Sequence, residues 1–270
     1  MLHRLASLSG RRFFSLRLQD KTCIVTGAGA GIGEAVARRF AQEGGKVAVI
    51  DMNLEAAQKV AHEINGIALQ CDVSDEQQVT ETVRKVSEEF DGVDVLVANA
   101  GIQHISPFVD LELKDWRRMM NVHLDGAFLF ARECTKDMLA KERQGKLLVM
   151  GSVHSKLASV LKAPYVTAKH GQLGLVRALS KELGPHGISA NLVCPGFVKT
   201  ELVLKQIPEQ AERLGISEEE VVKNVMLRDT VDGEFTTPED IAETCLFVAS
   251  HPNNSLTGQS FVVSHGWCMN

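Results

Sequence analysis

Tyrosine, long apolar runs and basic patches are scarce in this sequence. The chain of 270 residues contains a single tyrosine. No apolar run approaches the roughly 18 residues that would cross a membrane. The formal net charge is −5, so there is no basic footprint for nucleic acid or anionic lipid. We therefore expect a soluble globular protein whose partners include no nucleic acid and no membrane.

Metal-site spacings of cysteine and histidine are absent as well. The six cysteines are scattered, and none belongs to a CxxC pair. Most lie in apolar runs, where a thiol behaves as a small hydrophobic group. This distribution favours reduced thiols in a reducing compartment and predicts neither disulfides nor a metal site. The cysteines are Cys23, Cys71, Cys134, Cys194, Cys245 and Cys268.

Acidic residues are missing from the start of the chain, where the first is Asp20. The segment before it carries four arginines and three serines, a composition typical of a mitochondrial transit peptide. A short basic extension is the alternative. We predict that residues 1–18 are one or the other, which places the protein in the mitochondrial matrix or in the cytoplasm, respectively. Residues 19–270 are then the folded domain.

From residue 21 onward, short apolar runs alternate with segments of 3.6-residue periodicity. Runs that are apolar on both faces indicate strands buried in a parallel sheet. The pattern predicts an α/β fold: a single-domain, Rossmann-type, doubly wound parallel sheet of about seven strands with helices on both faces. The predicted strands are 22–26, 46–50, 67–71, 94–98, 146–151, 188–193 and 260–263.

One charged helical stretch, residues 202–235, interrupts this alternation after the sixth strand. Ligands of doubly wound sheets bind outside the carboxyl ends of the strands, so an insertion there lies above the ligand crevice. We predict a substrate lid at residues 202–235. A solvated helical hairpin is the alternative.

A glycine-rich loop, TGAGAGIG at residues 26–33, follows the first strand and opens the first helix. Gly27, Gly31 and Gly33 allow a tight turn and a close approach of a pyrophosphate to the helix N-terminus. Asp51 ends the second strand 18 residues after Gly33, where a carboxylate accepts both ribose hydroxyls and repels a 2′-phosphate. The loop therefore predicts NAD as the cofactor. Asp72, after the third strand, is a candidate for the adenine amine or for a helix-capping role.

Five motifs together resemble the short-chain dehydrogenase/reductase family. They are the glycine loop, ANAG at 98–101, Asn121 with Ser152, YVTAK at 165–169 and PG at 195–196. The resemblance runs from about residue 20 to 266, and Ala98 stands where the family more often has asparagine. It implies a nicotinamide-dependent oxidoreductase. It also implies cofactor contacts from Ile32, Val73, Asn99, Tyr165, Lys169, Pro195, Val198 and Thr200.

The single tyrosine, Tyr165, is the candidate acid/base. Lys169 lies four residues later on the same predicted helical face, and its ammonium, with the positive nicotinamide, favours phenolate. Tyr165 then takes the proton of an alcohol as hydride leaves its carbon. Ser152 is predicted to hydrogen-bond the same oxygen. By resemblance, Asn121 holds a water molecule that links Lys169 to solvent.

Within the family, the likeness is closer to the bacterial D-3-hydroxybutyrate dehydrogenases, carried by phrases such as SVHSKLASVLKAPYVTAKHG and CPGFVKTELVLKQIPEQAERLG. It implies NAD-dependent interconversion of D-3-hydroxybutyrate and acetoacetate in ketone body metabolism, by a homotetramer. A dehydrogenase of another small hydroxy acid or secondary alcohol is the alternative, and a non-catalytic nucleotide sensor is a third possibility. Phe197 and Trp267 are candidates to wall a methyl-sized pocket. The implied substrate-binding residues are Gln103, Ser152, His154, Lys162, Tyr165 and Gln206.

Overall fold

The computed structural model describes residues 16–270, apart from the side chain of Leu202. Residues 1–15, most of the predicted extension, lie outside the described residues. Leu18 is 1% exposed and packs in the core, and its amide N–H donates to the Glu43 carbonyl at 2.9 Å. The folded part of the chain therefore includes Leu18, one residue before the predicted boundary.

Seven parallel strands form one sheet in the order β3-β2-β1-β4-β5-β6-β7. The order reverses direction between β1 and β4, which is the arrangement of a doubly wound sheet and leaves a crevice at that point. The predicted fold class and strand number are confirmed. The strands are β1 Thr22–Thr26, β2 Lys46–Asp51, β3 Ile67–Gln70, β4 Val95–Ala98, β5 Gly145–Met150, β6 Ile188–Pro195 and β7 Ser260–Val263.

Helices cover both faces of the sheet, because alternate residues of each central strand bury against opposite layers. In β1, Ile24 packs with α3, α5 and α6, whereas Cys23 and Val25 pack with α1, α2 and α10. Burial on both faces explains why the strands read as continuous apolar runs. The helices are α1 Gly31–Gln42, α2 Leu54–Ile64, α3 Glu76–Phe90, α4 Leu113–Met120, α5 Gly126–Ala140, α6 Ala163–Leu183, α7 Glu201–Leu204, α8 Gln206–Leu214, α9 Glu218–Val221 and α10 Pro238–Ala249.

The segment predicted as a lid contains three short helices, α7, α8 and α9, followed by a π-helical turn at Val222–Met226. Ile207, Val221 and Met226 form a small hydrophobic cluster with Phe197, separate from the two layers beside the sheet. The segment therefore has its own core and packs on the loop after β6. Closure over a substrate stays a prediction.

Between residues 16 and 270, no helix is long and apolar enough to cross a membrane. The same residues contain no group of three or more histidine, cysteine and acidic side chains that is arranged to hold a metal ion.

Candidate active site

A cleft of about 870 Å³ opens at the carboxyl ends of β1 to β6, where the strand order reverses. Of the predicted cofactor residues, all but Gly33 line it, and so do Ser152, Asn121 and the lid helix α7. The sheet thus gathers residues from six strand ends into one wall, as expected for this topology.

The glycine loop folds tightly between β1 and α1. Gly27 and Gly31 have φ angles of +62° and +59°, which favour glycine. A Cβ at Gly33 would lie 2.2 Å from the Gly27 carbonyl oxygen, so Gly33 permits the close contact behind the cleft wall. Ala30, which precedes α1, makes no side-chain cap, so the first N–H groups of that helix keep their capacity for an anion. This cradle fits the pyrophosphate of a dinucleotide.

Asp51 lies at the end of β2, beside this loop. Its Oδ2 accepts from the Gly29 amide and its Oδ1 from the Asn53 amide, both at 2.9 Å. The carboxylate is thereby fixed at the cleft wall with lone pairs to spare for ribose hydroxyls. Within residues 16–270, Asp51 forms no ion pair with a lysine or arginine.

Two further predicted cofactor residues also shape the cleft. Asn99 donates through Nδ2 to the carbonyls of Thr26 and Gly27, at 2.9 and 3.1 Å, and so ties β4 to the glycine loop. Asp72 accepts from the backbone and the hydroxyl of Ser74, whereas Asp75 caps α3. The capping alternative for Asp72 is therefore wrong, because Asp75 already satisfies the first amides of that helix.

Tyr165 and Lys169 lie one turn apart on α6, and the lysine Nζ is 5.4 Å from the centre of the tyrosine ring. Nζ donates to the Met150 carbonyl at 2.6 Å, which fixes the buried ammonium against the end of β5. Ser152 begins a short 3₁₀ turn, and a reciprocal hydrogen-bonded box with Ser155 sets its hydroxyl. The end of β5, the 3₁₀ turn after it and the first turns of α6 therefore meet around the phenol of Tyr165.

Burial dominates the ionisation of this pair. It raises the pKa of Tyr165, an effect that the hydrogen bond with Ser152 opposes, and it lowers the pKa of Lys169 to about 7. In the protein alone, burial therefore favours the neutral phenol, and the expectation that Lys169 together with the positive nicotinamide favours phenolate stays a prediction. The ammonium lies over the ring face and is itself destabilised by the loss of water. Charge that favours phenolate has to arrive with the oxidised cofactor.

Asn121 does not occupy the position predicted for it. It is exposed at the cleft, at the start of a π-helical turn, Asn121–Asp125, that joins α4 to α5. His123 is the residue that faces the catalytic pair. Its ring is 2% exposed and meets Tyr165 edge-on, with 5.3 Å between ring centres. Positions two apart in a helix lie on opposite sides, which is why one faces the cleft mouth and the other the interior.

The sequence contained a signal for His123 that the motif comparison missed. Met119, His123 and Ala127 are buried at four-residue spacing, so histidine lies on the apolar stripe of this helical run and Asn121 lies off it. Gln172 of α6 adds a second contact that was not predicted, since its Nε2 donates to the His123 carbonyl at 2.7 Å.

Behind the phenol, the structure gathers most of the predicted substrate residues. His154 packs edge-on against both Tyr165 and Trp267, with ring centres 6.0 and 5.5 Å apart. Trp267 stacks on Phe197 at 5.1 Å, and Lys162 Nζ lies 5.4 Å from the centre of the Phe197 ring. These side chains form a compact aromatic shelf with one cation.

Gln206 and Gln103 differ in their placement. Gln206 begins α8 of the lid segment and is buried. Gln103 is only partly buried, and its Oε1 accepts from the neighbouring His104 amide. Gln206 is thus fixed inside the fold, whereas Gln103 bonds to its own loop.

Lys162 is the unusual charge of this region. It is 9% exposed, and burial lowers the pKa of its ammonium. No acidic side chain among the described residues forms an ion pair with it. Buried lysines are normally paired, so this ammonium is suited to an anion from outside the chain.

Comparison with known proteins gives the family. The family model described as enoyl-(acyl carrier protein) reductase matches residues 27–268. The chain belongs to the short-chain dehydrogenase/reductase family. It is therefore an oxidoreductase of the type that uses NAD or NADP.

Individual relatives of this family differ in their named activities. D-beta-hydroxybutyrate dehydrogenase of Rhizobium meliloti is 33% identical over 254 residues, which cover 92% of this chain and 98% of the relative. A 3-oxoacyl-(acyl-carrier-protein) reductase of Thermotoga maritima is 33% identical over 256 residues, with 93% and 99% covered. The solved structure of a short-chain type dehydrogenase/reductase from Mycobacterium marinum superimposes with a TM-score of 0.84 at 29% identity, covering 95% of this chain and 99% of that one.

Proposed function

We propose that this oxidoreductase interconverts D-3-hydroxybutyrate and acetoacetate with NAD. The observation that carries the proposal is Lys162, a buried ammonium without a carboxylate partner in the described chain. Its charge acts on His154, whose ring in turn contacts Tyr165. A short hydroxy acid places its carboxylate and its carbinol only a few bonds apart. One cation and one acid/base set close together match that chemistry.

The protein's own groups then divide the work. The bound nicotinamide supplies the hydride acceptor. Tyr165 takes the hydroxyl proton while Ser152 hydrogen-bonds the same oxygen, and the positive charge nearby favours phenolate at that moment. Lys162 binds the carboxylate, and the stacked Phe197 and Trp267 limit the size of the group that fits beside it.

The steady-state assay for this function is NADH formation with each enantiomer of 3-hydroxybutyrate. We expect turnover with the D enantiomer and a strong preference over the L enantiomer. Assays with longer 3-hydroxy acids and with uncharged secondary alcohols distinguish this function from the alternative, a dehydrogenase of another small hydroxy acid or secondary alcohol. Equal or better kcat/KM for an uncharged alcohol would contradict the carboxylate role of Lys162.

NAD is proposed over NADP because Asp51 presents a carboxylate where a 2′-phosphate would lie, with no ion-pairing cation among the described residues. We expect tighter binding of NAD than of NADP by the wild-type protein. Asp51→Ser should narrow that preference by at least about tenfold, since about 1.4 kcal/mol corresponds to a factor of ten. A wild-type preference for NADP would overturn this choice.

We also propose that the chain assembles as a homotetramer. Apolar side chains remain exposed on the outer helices, including Phe128 and Leu139 on α5 and Phe247 on α10, each between 42% and 48% exposed. Such side chains on two different helices are suited to two interfaces. Light scattering during size-exclusion chromatography measures the assembly, and a monomer at micromolar concentration would contradict it.

A further inference from the structure

Residues 264–270 follow β7 and form a strap that carries Trp267 to the aromatic shelf. The Trp267 ring stacks on Phe197 with 3° between the two planes, and it meets His154 edge-on. Within the strap, the Trp267 amide donates to the Ser264 carbonyl at 3.0 Å. The indole therefore sits in a tight turn, and its position depends on what holds the strap in place.

The first part of the strap is bonded to the end of the lid segment. His265 Nδ1–H donates to Asp232 Oδ2 at 2.6 Å, and the Val231 amide donates to the His265 carbonyl at 2.9 Å. The side-chain hydrogen bond holds the pKa of the Asp232 carboxyl below its usual range. A Cβ at Gly266 would lie 2.6 Å from Val231 Cγ1, so the strap passes directly against this segment.

The backbone of His265 indicates that its side chain serves more than the shape of the turn. Its φ angle is +48°, in the left-handed region where a side chain is disfavoured and glycine is the common residue. Glycine at this position would form the same turn at a lower backbone cost. The hydrogen bond to Asp232 is what the histidine adds.

The last part of the strap is bonded to the turn after β5. Lys156 directly follows the 3₁₀ turn Val153–Ser155, and its Nζ donates to the Asn270 backbone oxygen at 2.6 Å. Among the described residues, no acidic side chain forms an ion pair with Lys156. The same turn carries His154, which Trp267 contacts. One turn thus holds both the end of the strap and one face of the shelf.

Trp267 is therefore held between the lid segment and the turn after β5. Both bonds lie near the surface, since the side chains of His265 and Asp232 are 27% and 46% exposed. They add little to the core, and what they fix is the place of the half-buried indole ring. Space for one methylene more or less changes kcat/KM by about 10–200-fold, so the place of this ring bears directly on substrate length.

We propose that His265, Asp232 and Lys156 are positioning residues for Trp267, and that through it they restrict the site to short hydroxy acids. None of the three lines the cofactor cleft, so each acts through the tryptophan. The proposal rests on the proposed function for its kinetic consequences. The fluorescence test below needs no substrate, so the two can fail separately.

Fluorescence of Trp267 gives the first readout. The chain contains two tryptophans, so Trp116→Phe leaves Trp267 as the only one. In that background we expect His265→Gly and Lys156→Met each to increase acrylamide quenching by at least about twofold, because the strap opens more often. Glycine suits the backbone at position 265, so this variant isolates the loss of the imidazole.

Selectivity for chain length gives the second readout, as kcat/KM for D-3-hydroxybutyrate divided by that for D-3-hydroxyhexanoate. We expect this ratio to fall at least about tenfold in His265→Gly and in Lys156→Met, mainly through a lower KM for the longer acid. The value of kcat for D-3-hydroxybutyrate should change by less than about threefold.

A double-mutant cycle tests the bond between His265 and Asp232. Asp232→Ala should lower the ratio as much as His265→Gly, and the double variant should lower it no further, because either change removes the same hydrogen bond. Asp232→Glu keeps the acceptor and should retain part of the selectivity. Asp229→Ala is the matched control, since that exposed carboxylate pairs with Arg228.

Three results would overturn the proposal. The first is unchanged quenching of Trp267 in both His265→Gly and Lys156→Met, with folding checked by circular dichroism. The second is a wild-type chain-length ratio in these variants. The third is an effect of Asp229→Ala as large as that of Asp232→Ala. If D-3-hydroxybutyrate is not a substrate, the proposed function fails, and the quenching result still decides whether these bonds position Trp267.

Discussion

Lys169→Met should make the ligand-free protein more stable at neutral pH, although it removes a residue of the acid/base pair. Lys169 is 3% exposed, and burial lowers the pKa of its ammonium from 10.5 to about 7. Folding therefore has to strip this lysine of its proton or bury it charged. Methionine has a similar length and carries no such cost.

The magnitude follows from the pKa change. At about 1.4 kcal/mol for each pH unit, the lowered pKa corresponds to about 5 kcal/mol of stability withheld from the folded protein near and below pH 7. The variant also leaves the Met150 carbonyl without the donor that bonds it at 2.6 Å, which costs about 1–3 kcal/mol. The net gain expected for Lys169→Met at pH 7 is about 2–4 kcal/mol.

The pH dependence has a definite sign. The unfolded lysine keeps its proton up to about pH 10.5 and the folded one up to about pH 7, so the unfolded state binds more protons between these values. Wild-type stability should therefore rise through this window relative to Lys169→Met, at up to about 1.4 kcal/mol per pH unit. The advantage of the variant should be largest below pH 7 and shrink as pH increases.

Urea unfolding of both proteins at fixed concentration, between pH 6 and pH 9, measures this difference within the window set by burial of Lys169. Lys181→Met is the matched control, because that lysine lies exposed on the same helix. A variant less stable than wild type at pH 7, or an advantage that does not change with pH, would refute the reasoning.

Three further changes test other parts of the structure. Tyr165→Phe should lower kcat by at least about a hundredfold, since general acid/base groups contribute a rate enhancement of about 10²–10⁴. Binding of NADH should persist. Rapid kinetics and fluorescence titration measure the two quantities, and activity near wild type would show that Tyr165 is not the base. Gly33→Ala should abolish cofactor binding in calorimetry, because its Cβ would lie 2.2 Å from the Gly27 carbonyl oxygen; unchanged affinity would mean that the loop tolerates the clash. Leu18→Ala should lower the free energy of unfolding by about 2–5 kcal/mol, since the side chain is 1% exposed; an unchanged free energy of unfolding would contradict its place in the core.

The sheet was predictable because its signal is redundant. The central strands β1, β4 and β6 are buried throughout, and helices separate successive strands, so errors of one or two residues at an end do not change the topology. The glycine loop was predictable for a related reason. Positive φ angles at Gly27 and Gly31 and the contact at Gly33 each require glycine, so the spacing itself carries the geometry.

The acid/base site was only partly predictable. Tyr165 and Lys169 lie four residues apart on one helix, so local periodicity places them together. Asn121 was assigned by residue type, and it failed because a shift of two positions changes the face of the helix. The burial stripe of Met119, His123 and Ala127 was the stronger signal.

The ionisation of Tyr165 and Lys169 and the packing of the lid segment could not be predicted from the sequence pattern, because both depend on contacts between distant parts of the chain. The pKa values of Tyr165 and Lys169 are set by desolvation, which depends on how chain segments distant in sequence exclude water. The lid was predicted as a position after β6. Its small core around Ile207 and Met226 depends on contacts between helices and with Phe197.

The central claim is that this oxidoreductase uses Lys162 to select a carboxylate beside Tyr165. The most direct measurement is the ratio of kcat/KM for D-3-hydroxybutyrate to that for butan-2-ol, which lacks the carboxylate, in wild type and in Lys162→Met. The account predicts a large ratio in wild type that falls by at least about a hundredfold in the variant, mainly through KM for the acid. Loss of the Lys162 ammonium leaves the substrate carboxylate buried without a charged partner, which costs several kcal/mol. An unchanged ratio, or a wild-type protein that does not distinguish the two alcohols, would contradict it.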